Sequence, residues 1–326
     1  MRLRTVTPAI ALGLALACVS APVFAAQPAR HRPVHNGPIL VEVGNVIPRL
    51  DSVDPVTGTA TWLGVDSGCG NTVSPNGKLV AFVEACGYES QKYSPELELM
   101  NRDGSGLRDV VGTGGNPRYT SMVRGASFTP DGTRLIFGTL VQTPGSNQPA
   151  VQTFMTVRLD GTDVKTVNLG VSGYVDQTPQ YSPKGDTLAF SIGGALYLKV
   201  GGRPARLLKS ARPGLPEVGD DYTLSWSPDG RQLVYSDNGN LYEVAVDGSG
   251  WRTVLRASAS TVYSQPVFSP DGRELAFAAG STDPTDTGPD AGTLDVMPLA
   301  HAGHPGIVLD LESPPELASP AWLPVG

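Results

Sequence analysis

One short phrase recurs five times along the chain, and it constrains the fold more than any other feature of the sequence. Each copy places Ser or Thr before Pro, a polar residue and Gly, and continues as a strand-like run that ends in an aromatic residue. The copies are SPNGKLVAF, TPDGTRLIF, SPKGDTLAF, SPDGRQLVY and SPDGRELAF, which begin at Ser74, Thr129, Ser182, Ser227 and Ser269. A degenerate sixth copy, LPVG, begins at Leu323. The successive spacings of 55, 53, 45, 42 and 54 residues indicate repeated supersecondary units.

The first four residues of each phrase predict a β-turn. Ser or Thr suits the first position of a type I turn, Pro fixes φ at the second, and Gly suits the fourth. After the turn, an aliphatic residue precedes the aromatic one by two positions, as in Val80 and Phe82, so both side chains point to one face of a strand. In five units an aromatic residue also stands immediately before the turn: Phe128, Tyr181, Trp226, Phe268 and Trp322.

Two more strand-like segments complete each unit. In the third unit they are ALYLKV, which is followed by Gly201 and Gly202, and ARLLKS. Four short strands in units of 42 to 55 residues are typical of the blades of a β-propeller.

The two ends of the chain together predict one further blade. The sixth copy supplies only a first strand, residues 319–322, while residues 39–43, 46–50 and 59–63 have the pattern of second, third and fourth strands. We expect residues 319–322 to pair with residues 39–43 and so to close a ring. The sequence thus predicts an all-β fold: a six-bladed β-propeller with four antiparallel strands per blade, in a single domain of residues 39–326.

The charge and apolar pattern of residues 1–26 predicts a signal peptide. Arg2 and Arg4 give it a positive start, an apolar stretch follows, and small residues around Ala25 offer a cleavage site. The apolar stretch is too short to span a bilayer. We therefore expect a periplasmic or secreted protein without a transmembrane segment, in which residues 27–38 form a flexible leader outside the ring.

The three cysteines fall into two groups. Cys18 lies in the predicted signal peptide, and lipid anchoring through Cys18 is the alternative to its removal, although the preceding residues match a lipoprotein box poorly. Cys69 and Cys86 stay in the mature chain, where a pair of cysteines usually forms a disulfide. The turn that begins at Ser74 would bring both to one end of a hairpin, and a bridge there would stabilise the fold by about 3 kcal/mol.

The repeated turn and the aliphatic-x-aromatic strand resemble the TolB-like, WD40-like family of β-propeller repeats. The resemblance covers nearly all of the chain after the predicted signal peptide. It implies six blades, a periplasmic or secreted location, and a role that depends on docking other proteins. TolB carries an additional α/β domain before its propeller, whereas the repeats here begin almost directly after the signal peptide, so the partners of TolB are not implied.

Motifs for catalysis are missing from the sequence. No Ser has Gly at both offsets of the hydrolase motif Gly-x-Ser-x-Gly, and there is no phosphate loop or dinucleotide fingerprint. The four histidines lie in Pro- and Gly-rich segments: His31, His35, His301 and His304. We therefore expect a non-enzymatic protein without a cofactor or metal. The alternative is a carbohydrate-active protein, either a glycan binder or a propeller like those of polysaccharide lyases.

Charge and composition argue against two other functions. The chain has 24 Lys and Arg against 31 Asp and Glu, a net charge of −7 without basic runs, so we expect no nucleic-acid binding. An acidic loop with Asp283, Asp286 and Asp290 offers oxygen ligands for Ca²⁺, but it lacks the residue order of a calcium-binding loop.

The two faces of the predicted ring differ in loop length. The first and third turns of each blade lie on one face and are short, while the second turns and the connections between blades lie on the other. The second turn is short in blades 3 and 4, but it is long in blades 1, 2 and 5, at about residues 84–95, 139–150 and 279–292. Insertions on one face of a repeat array usually mark its binding face.

The connections on this longer-looped face carry tyrosines and charged residues. Tyr and Arg are enriched at the energetic centres of interfaces, and aromatic rings also stack on sugars. The candidate binding residues are Arg118, Tyr119, Arg124, Tyr174, Asp176, Asp220, Asp221, Tyr222, Tyr263 and Gln265. The alternative is that the tyrosines pack between blades with their hydroxyl groups at the rim. We expect a monomer that binds a protein partner in the envelope, or a glycan, through this face.

Overall fold

The computed structural model describes residues 36–44, 48–66, 69–83, 96–111, 123–141, 151–171, 173, 175, 177–185, 187–210, 223–281, 292–301, 305–310 and 320–324. This part of the chain forms β-strands and one short 3-10 helix, Leu299–His301. The predicted signal peptide and residues 27–35 of the predicted leader lie outside the described residues. Residues 36–38 were predicted to lie in the leader outside the ring, but they belong to a strand of the ring, in which Asn36 pairs with Pro324. Among the described residues, no helix has the length and apolarity needed to cross a membrane.

The strands are numbered in chain order and grouped here by blade. Blade 1 consists of β4 (Cys69–Val73), β5 (Leu79–Val83), β6 (Leu97–Asn101) and β7 (Arg108–Val111). Blade 2 consists of β8 (Val123–Phe128), β9 (Arg134–Val141), β10 (Val151–Arg158) and β11 (Lys165–Val167). Blade 3 consists of β12 (Gln180–Tyr181), β13 (Thr187–Ile192), β14 (Ala195–Val200) and β15 (Arg206–Lys209).

The remaining blades follow the same order. Blade 4 consists of β16 (Leu224–Trp226), β17 (Gln232–Asp237), β18 (Asn240–Ala245) and β19 (Arg252–Leu255). Blade 5 consists of β20 (Thr261–Phe268), β21 (Glu274–Ser281), β22 (Gly292–Pro298) and β23 (Gly306–Asp310). Blade 6 consists of β24 (Ala321–Pro324), β1 (Asn36–Val43), β2 (Arg49–Val53) and β3 (Ala60–Asp66).

The described strands form six antiparallel sheets of four strands each, which confirms the predicted fold class. The first strands contact one another in a closed cycle, from β4 through β8, β12, β16, β20 and β24 back to β4. The sheets are therefore the blades of a ring, and the first strand of each blade is the innermost one. The fold is an all-β, six-bladed propeller.

The ends of the described chain close the ring as predicted. In blade 6, β24 pairs with β1 through Trp322 opposite Ile39 and Ala321 opposite Leu40. The Trp322 Nε1–H donates to the carbonyl of Gly37 at 2.8 Å. Blade 6 thus draws one strand from one end of the sequence and three strands from the other.

The third strand of blade 6 is shifted relative to the prediction. The sequence pattern placed the third strand of this blade at residues 46–50, whereas β2 spans Arg49–Val53. Pro48 explains the shift, because proline has no amide hydrogen to donate and is disfavoured within a paired strand. The strand therefore begins after Pro48.

Each gap between neighbouring blades holds its own hydrophobic cluster. Val80 and Phe82 belong to the cluster between blades 6 and 1, and Leu135 and Phe137 to the cluster between blades 1 and 2. The two apolar residues of each phrase therefore share one face of their strand, as their spacing predicted. The core is divided among the gaps, and burial of apolar surface joins each blade to the next.

The repeated phrase forms a hydrogen-bonded turn. The amide of the turn glycine donates to the carbonyl of the first turn residue at 2.8 Å in blades 1, 2, 4 and 5, and at 3.4 Å in blade 3. In the same four blades, the Ser or Thr hydroxyl donates to the Asn or Asp side chain two residues later, at 2.6 to 2.8 Å. We call this first turn of a blade its inner turn and the third turn its outer turn.

Inner and outer turns lie at one end of the blades, the turn face, and the second turns and connections lie at the other, the loop face. The hairpins of blades 2 and 5 reach further towards the loop face than predicted. Val141 pairs with Val151, and Gly280 pairs with Gly292. The predicted loops of residues 139–150 and 279–292 are therefore too long, because Thr139, at the end of an apolar run, is itself a β-branched strand residue.

Candidate functional site

The loop face was predicted to carry the binding residues, and the structure describes part of that set. The side chains of Tyr263 and Gln265 are described, and so is the backbone of Arg124 in β8. Seven predicted residues lie outside the described part of the chain: Arg118, Tyr119, Tyr174, Asp176, Asp220, Asp221 and Tyr222.

Tyr263 packs between two blades. It lies in β20 opposite Ala279, and its ring meets that of Phe277 edge to face, with 5.7 Å between the centroids. The side chain adds to the cluster between blades 4 and 5. Burial, together with the negative charge of Asp295, raises the pKa of the Tyr263 hydroxyl. For this tyrosine, the structure agrees with the packing alternative.

Asp295 is a buried carboxyl group in the same gap. It lies on β22 directly opposite Phe277, and burial raises its pKa although Thr293 donates a hydrogen bond to it at 2.7 Å. The sequence analysis missed this residue. An acidic residue within the otherwise apolar run Leu294 to Met297 was the signal that could have revealed it.

Two neighbouring blades have a buried carboxyl group at the same strand position. Glu98 lies opposite Phe82 in blade 1, and Asp51 lies opposite Val41 in blade 6. Both are buried. The equivalent residues in the other three blades are uncharged: Met155, Tyr197 and Tyr242. At this strand position, buried carboxyl groups therefore occur only in blades 5, 6 and 1 of the described structure.

The carboxyl group of Asp51 has a cationic partner. The Arg49 Nε–H lies 3.1 Å from one of its oxygens and 3.2 Å from the other. The Arg49 side chain is half exposed, whereas that of Asp51 is almost fully buried. The half-exposed Arg49 therefore balances the negative charge of Asp51. Asp295 instead accepts a hydrogen bond from the neutral Thr293 hydroxyl.

Gln265 lies in a strained part of an innermost strand. The pairing of β20 with β21 is interrupted by a bulge between Ser264 and Val267, and Gln265 in that bulge has a φ of 52°. The residues at the same position, four before the inner turn, are Gly70 and Gly125 in blades 1 and 2, with φ of 70° and 58°. A left-handed conformation costs a non-glycine residue about 1–2 kcal/mol.

The Gln265 position also lies where the blades approach closely. A Cβ at Gly70 would lie 3.3 Å from the Cα of Gly125, and one at Gly125 would lie 3.1 Å from the Oγ1 of Thr178 in blade 3. Gln265 itself was predicted as a surface contact residue, but the structure buries its side chain.

Individual hydrogen bonds brace the loop face next to several predicted residues. The side-chain amide of Gln152 in blade 2 donates to the carbonyl of Val175 at 2.9 Å and accepts from its amide at 2.7 Å. Val175 is flanked in sequence by Tyr174 and Asp176. This contact could not be predicted from the sequence, because Gln152 lies outside the repeated phrase.

Similar hydrogen bonds hold the loop-face backbone of blades 4 and 5. The Ser236 hydroxyl accepts from the amide of Thr223 at 3.1 Å, and Thr223 directly follows Tyr222 in sequence. The amide of Tyr263 donates to the carbonyl of Gly239 in the second turn of blade 4 at 2.9 Å. These bonds fix the backbone beside the predicted binding residues.

A buried ion pair also lies at the loop end of blade 4. The Lys209 ammonium of blade 3 lies 3.2 Å from a carboxylate oxygen of Asp237, whose side chain is fully buried. The same ammonium lies 5.1 Å from the ring centroid of Tyr235 and 5.9 Å from that of Tyr242. Charge and ring faces together hold the cation between the two blades.

Two further predicted sites are described only in part or not at all. Cys69 opens β4 and pairs with Val83, but Cys86 lies outside the described residues, so the disulfide stays a prediction. No group of three His, Cys, Asp or Glu residues within the described ranges has the arrangement of a metal site. The acidic loop with Asp283, Asp286 and Asp290 lies outside those ranges.

Solved structures of similar fold include two TolB proteins. TolB from Acinetobacter baumannii is 17% identical, with a TM-score of 0.61 over 89% of this chain and 67% of that one. A putative TolB from Agrobacterium tumefaciens is 16% identical, with a TM-score of 0.59 over 90% of this chain and all of that one. A periplasmic gluconolactonase from Pseudomonas aeruginosa is 18% identical, with a TM-score of 0.51 over 84% of this chain and 81% of that one.

Comparison with protein-family models gives no match, and comparison with the curated proteins gives none. The similarity to solved structures therefore concerns the fold. Six blades of four strands, the closure of the ring by β24 and β1, and the similarity to both TolB structures show that the chain has a TolB-like β-propeller fold.

Proposed function

We propose that the protein is an exported, non-enzymatic propeller that binds a protein partner in the cell envelope through its loop face. The observation that carries the proposal is the contrast between the two faces. The inner turns repeat one structure and pack against one another, so backbone geometry constrains their residues. The loop face has second turns of unequal length, and its braces differ from blade to blade.

The proposed binding surface consists of the connections between blades. Arg118, Tyr119, Tyr174 and Tyr222 lie in these connections and have the residue types that dominate interface energetics. Tyr263 is left out of the surface, since it packs on Phe277. The bonds from Gln152 to Val175 support the proposal, because a fixed backbone reduces the entropy lost when a partner binds.

The proposed location is the periplasm or the extracellular space. Residues 1–26 have the charge and apolar pattern of a signal peptide. The similarity to TolB structures and to a periplasmic gluconolactonase supports an envelope location. In an oxidising compartment, Cys69 and Cys86 would form the proposed disulfide.

A carbohydrate-active function is the second candidate. Similarity to a gluconolactonase favours it, as does the buried Asp295, because a carboxyl group with a raised pKa can act as a general acid. However, Asp295 lies in the gap between blades 4 and 5, where Phe277 and Tyr263 pack around it. The docking function therefore remains the better supported of the two.

Cross-linking capture from envelope extracts of the producing cells, with the mature propeller as bait, tests the first candidate. We expect one partner to be enriched over extract treated with an unrelated propeller, and to bind the purified propeller saturably when isolated. In parallel, the propeller is assayed for hydrolysis of aldonolactones and for lyase activity on oligogalacturonides. The enzymatic proposal would replace the docking proposal if two results were obtained together. The propeller would turn over one of these substrates and lose that activity in Asp295→Asn, and no protein partner would bind it saturably.

A further inference from the structure

The outer turns of several blades pack closely against the outermost strand of the preceding blade. A Cβ at Gly58 in blade 6 would lie 2.5 Å from the carbonyl oxygen of Val308 in blade 5, and one at Gly161 in blade 2 would lie 2.8 Å from that of Val110 in blade 1. Gly104 in blade 1 approaches blade 6 in the same way. Only glycine fits at such distances, so these contacts close the outer part of the three gaps between blades 5 and 6, 6 and 1, and 1 and 2.

An arginine on the outermost strand adds a second contact in two gaps. Arg108 of blade 1 and Arg206 of blade 3 each donate to a backbone carbonyl of the following blade. The residue at this strand position in blade 2 is Lys165. Its ammonium bonds instead to Asp163 in its own blade, at 2.9 Å, so it does not reach across to blade 3.

The gap between blades 2 and 3 lacks both contacts among its described residues. In the outer turn of blade 3, Arg203 holds the position of the closely packed outer-turn glycines, since its amide bonds to the Val200 carbonyl as the Gly161 amide bonds to that of Arg158. A Cβ at Gly202, which precedes Arg203, would have no neighbouring atom within 4 Å. A Cβ at Gly170 of blade 2 would still lie 3.9 Å from the nearest atom of blade 3, the amide nitrogen of Ala205. A groove of about 470 Å³ stays open here, within the size range of small-molecule sites.

The side chains that line this groove are basic or neutral. Lys199 Nζ donates to the carbonyl of Arg203 at 2.8 Å, which positions the ammonium and leaves two of its three N–H donors for a ligand. The Arg203 side chain is exposed at the groove, and Asn168 also lines it. No described lining residue is acidic, although the whole chain has a net charge of −7.

We propose that this groove binds a small anionic ligand that carries phosphate or carboxylate groups. Lys and Arg donors form charge-assisted hydrogen bonds with such oxygens, and Arg does so in a bidentate geometry. Gly201 and Gly202 have no side chains, so a ligand can approach their backbone closely. The groove lies at the outer edge of the gap, where the outer turn of blade 3 meets Asn168 and Gly170 of the connection that follows β11.

Calorimetric titration of the mature protein with citrate and with pyrophosphate, at low ionic strength, tests this proposal. We expect at least one probe to bind saturably and to weaken as NaCl is added. The double variant Lys199→Gln/Arg203→Gln should bind that probe at least tenfold more weakly. The matched control Arg231→Gln/Arg273→Gln removes two exposed positive charges from inner turns of the turn face and should leave the dissociation constant within about twofold.

Two results would overturn the proposal: no saturable binding of either probe by the wild-type protein, or equal weakening in the two double variants. Gly202→Asp and Gly202→Ala provide an independent pair. The open space at Gly202 accommodates either side chain, so both variants should fold. Only the aspartate should abolish anion binding, and equal binding by the two variants would also contradict the proposal.

Discussion

The turn face and the loop face of the propeller are held together in different ways. On the turn face, the same residues meet the same partners in several blades. A Cβ at Gly132 would lie 3.5 Å from the Cδ of Pro75, and one at Gly272 would lie 3.5 Å from that of Pro228. Even the degenerate sixth copy conforms, since Pro324 lies against Gly77.

On the loop face, each contact is specific to one blade. Gln152 bonds to the backbone of Val175, and Ser236 bonds to Thr223. The residues of the second pair recur in blade 3 as Ser191 and Thr178, but the buried Ser191 hydroxyl makes no hydrogen bond within the described residues. Repetition marks the residues that folding requires in every blade, whereas the blade-specific contacts lie where loop length and composition are free to vary and a binding surface can develop.

The largest expected effect comes from opening the ring. Deletion of residues 319–326 removes β24, including the buried Trp322 and Leu323, and leaves the edge of β1 unpaired. We expect loss of cooperative thermal unfolding, or aggregation, by circular dichroism and light scattering. Deletion of residues 27–35 spares β1 and serves as the control. A truncated protein that melted like the wild type would refute closure by β24.

A smaller loss of stability is expected from turn glycines that touch a neighbouring blade. A Cβ at Gly77 would lie 2.5 Å from Pro324 Cγ, and one at Gly230 would lie 2.8 Å from Ser182 Oγ; both glycines have positive φ. Each Gly→Ala change should cost about 1–3 kcal/mol through backbone strain and crowding.

Gly185 provides the matched control for these turn variants. It holds the same repeat position in blade 3, but its Cβ would meet no atom within 4 Å. Gly185→Ala should therefore change the free energy of unfolding by less than about 0.5 kcal/mol in a denaturant titration. Equal losses at Gly77, Gly230 and Gly185 would show that contact between inner turns does not stabilise the ring.

Breaking one brace of the loop face should have a local effect. Gln152→Ala removes both hydrogen bonds to Val175, which should speed hydrogen exchange at the Val175 amide and cost about 1–3 kcal/mol. Gln152→Glu keeps an acceptor for that amide and should give an intermediate exchange rate. An unchanged exchange rate of the Val175 amide in Gln152→Ala would mean that the two hydrogen bonds do not hold the connection between blades 2 and 3.

The smallest expected effect is on the pH dependence of folding stability, to which two carboxyl groups should contribute with opposite signs. Burial raises the pKa of Asp295, so its ionised form opposes folding at neutral pH. Asp295→Asn should therefore melt at a higher temperature than the wild type at pH 7. The difference should shrink as the pH falls through the raised pKa towards the ordinary value of 3.8.

Asp229 on the turn face should behave in the opposite way. The Ser227 hydroxyl and the Arg231 amide donate to this carboxylate and lower its pKa. Its ionised form therefore stabilises the fold above pH 3.8, and this contribution is lost as the pH falls through the lowered pKa. Asp229→Asn should be less stable than the wild type at pH 7 and approach it in acid. Melting curves of both variants from pH 3 to 7 check the pair of signs.

The sequence was sufficient to predict the blade count, the closing strand and the inner turns, because each depends on a repeated local pattern. It was misleading at β2, where Pro48 outweighed the apolar pattern, and at Thr139, where a β-branched residue extended a strand. The contact between Gln152 and Val175 could not be predicted, because it joins side chain and backbone across two blades. The burial of Gln265 could not be predicted either, because the bulge that contains it shows only in the pairing of β20 with β21.

A paired comparison of binding and stability tests the division between the faces most directly. Arg118→Ala/Tyr119→Ala/Tyr222→Ala and Gly230→Ala are each measured for the melting temperature and for the dissociation constant of the captured partner. We expect the triple variant to lose at least about 2 kcal/mol of binding free energy with little change in melting temperature. Gly230→Ala should melt at a lower temperature and bind normally in the folded fraction. Normal binding by the triple variant, together with lost binding by folded Gly230→Ala, would place the function on the turn face instead.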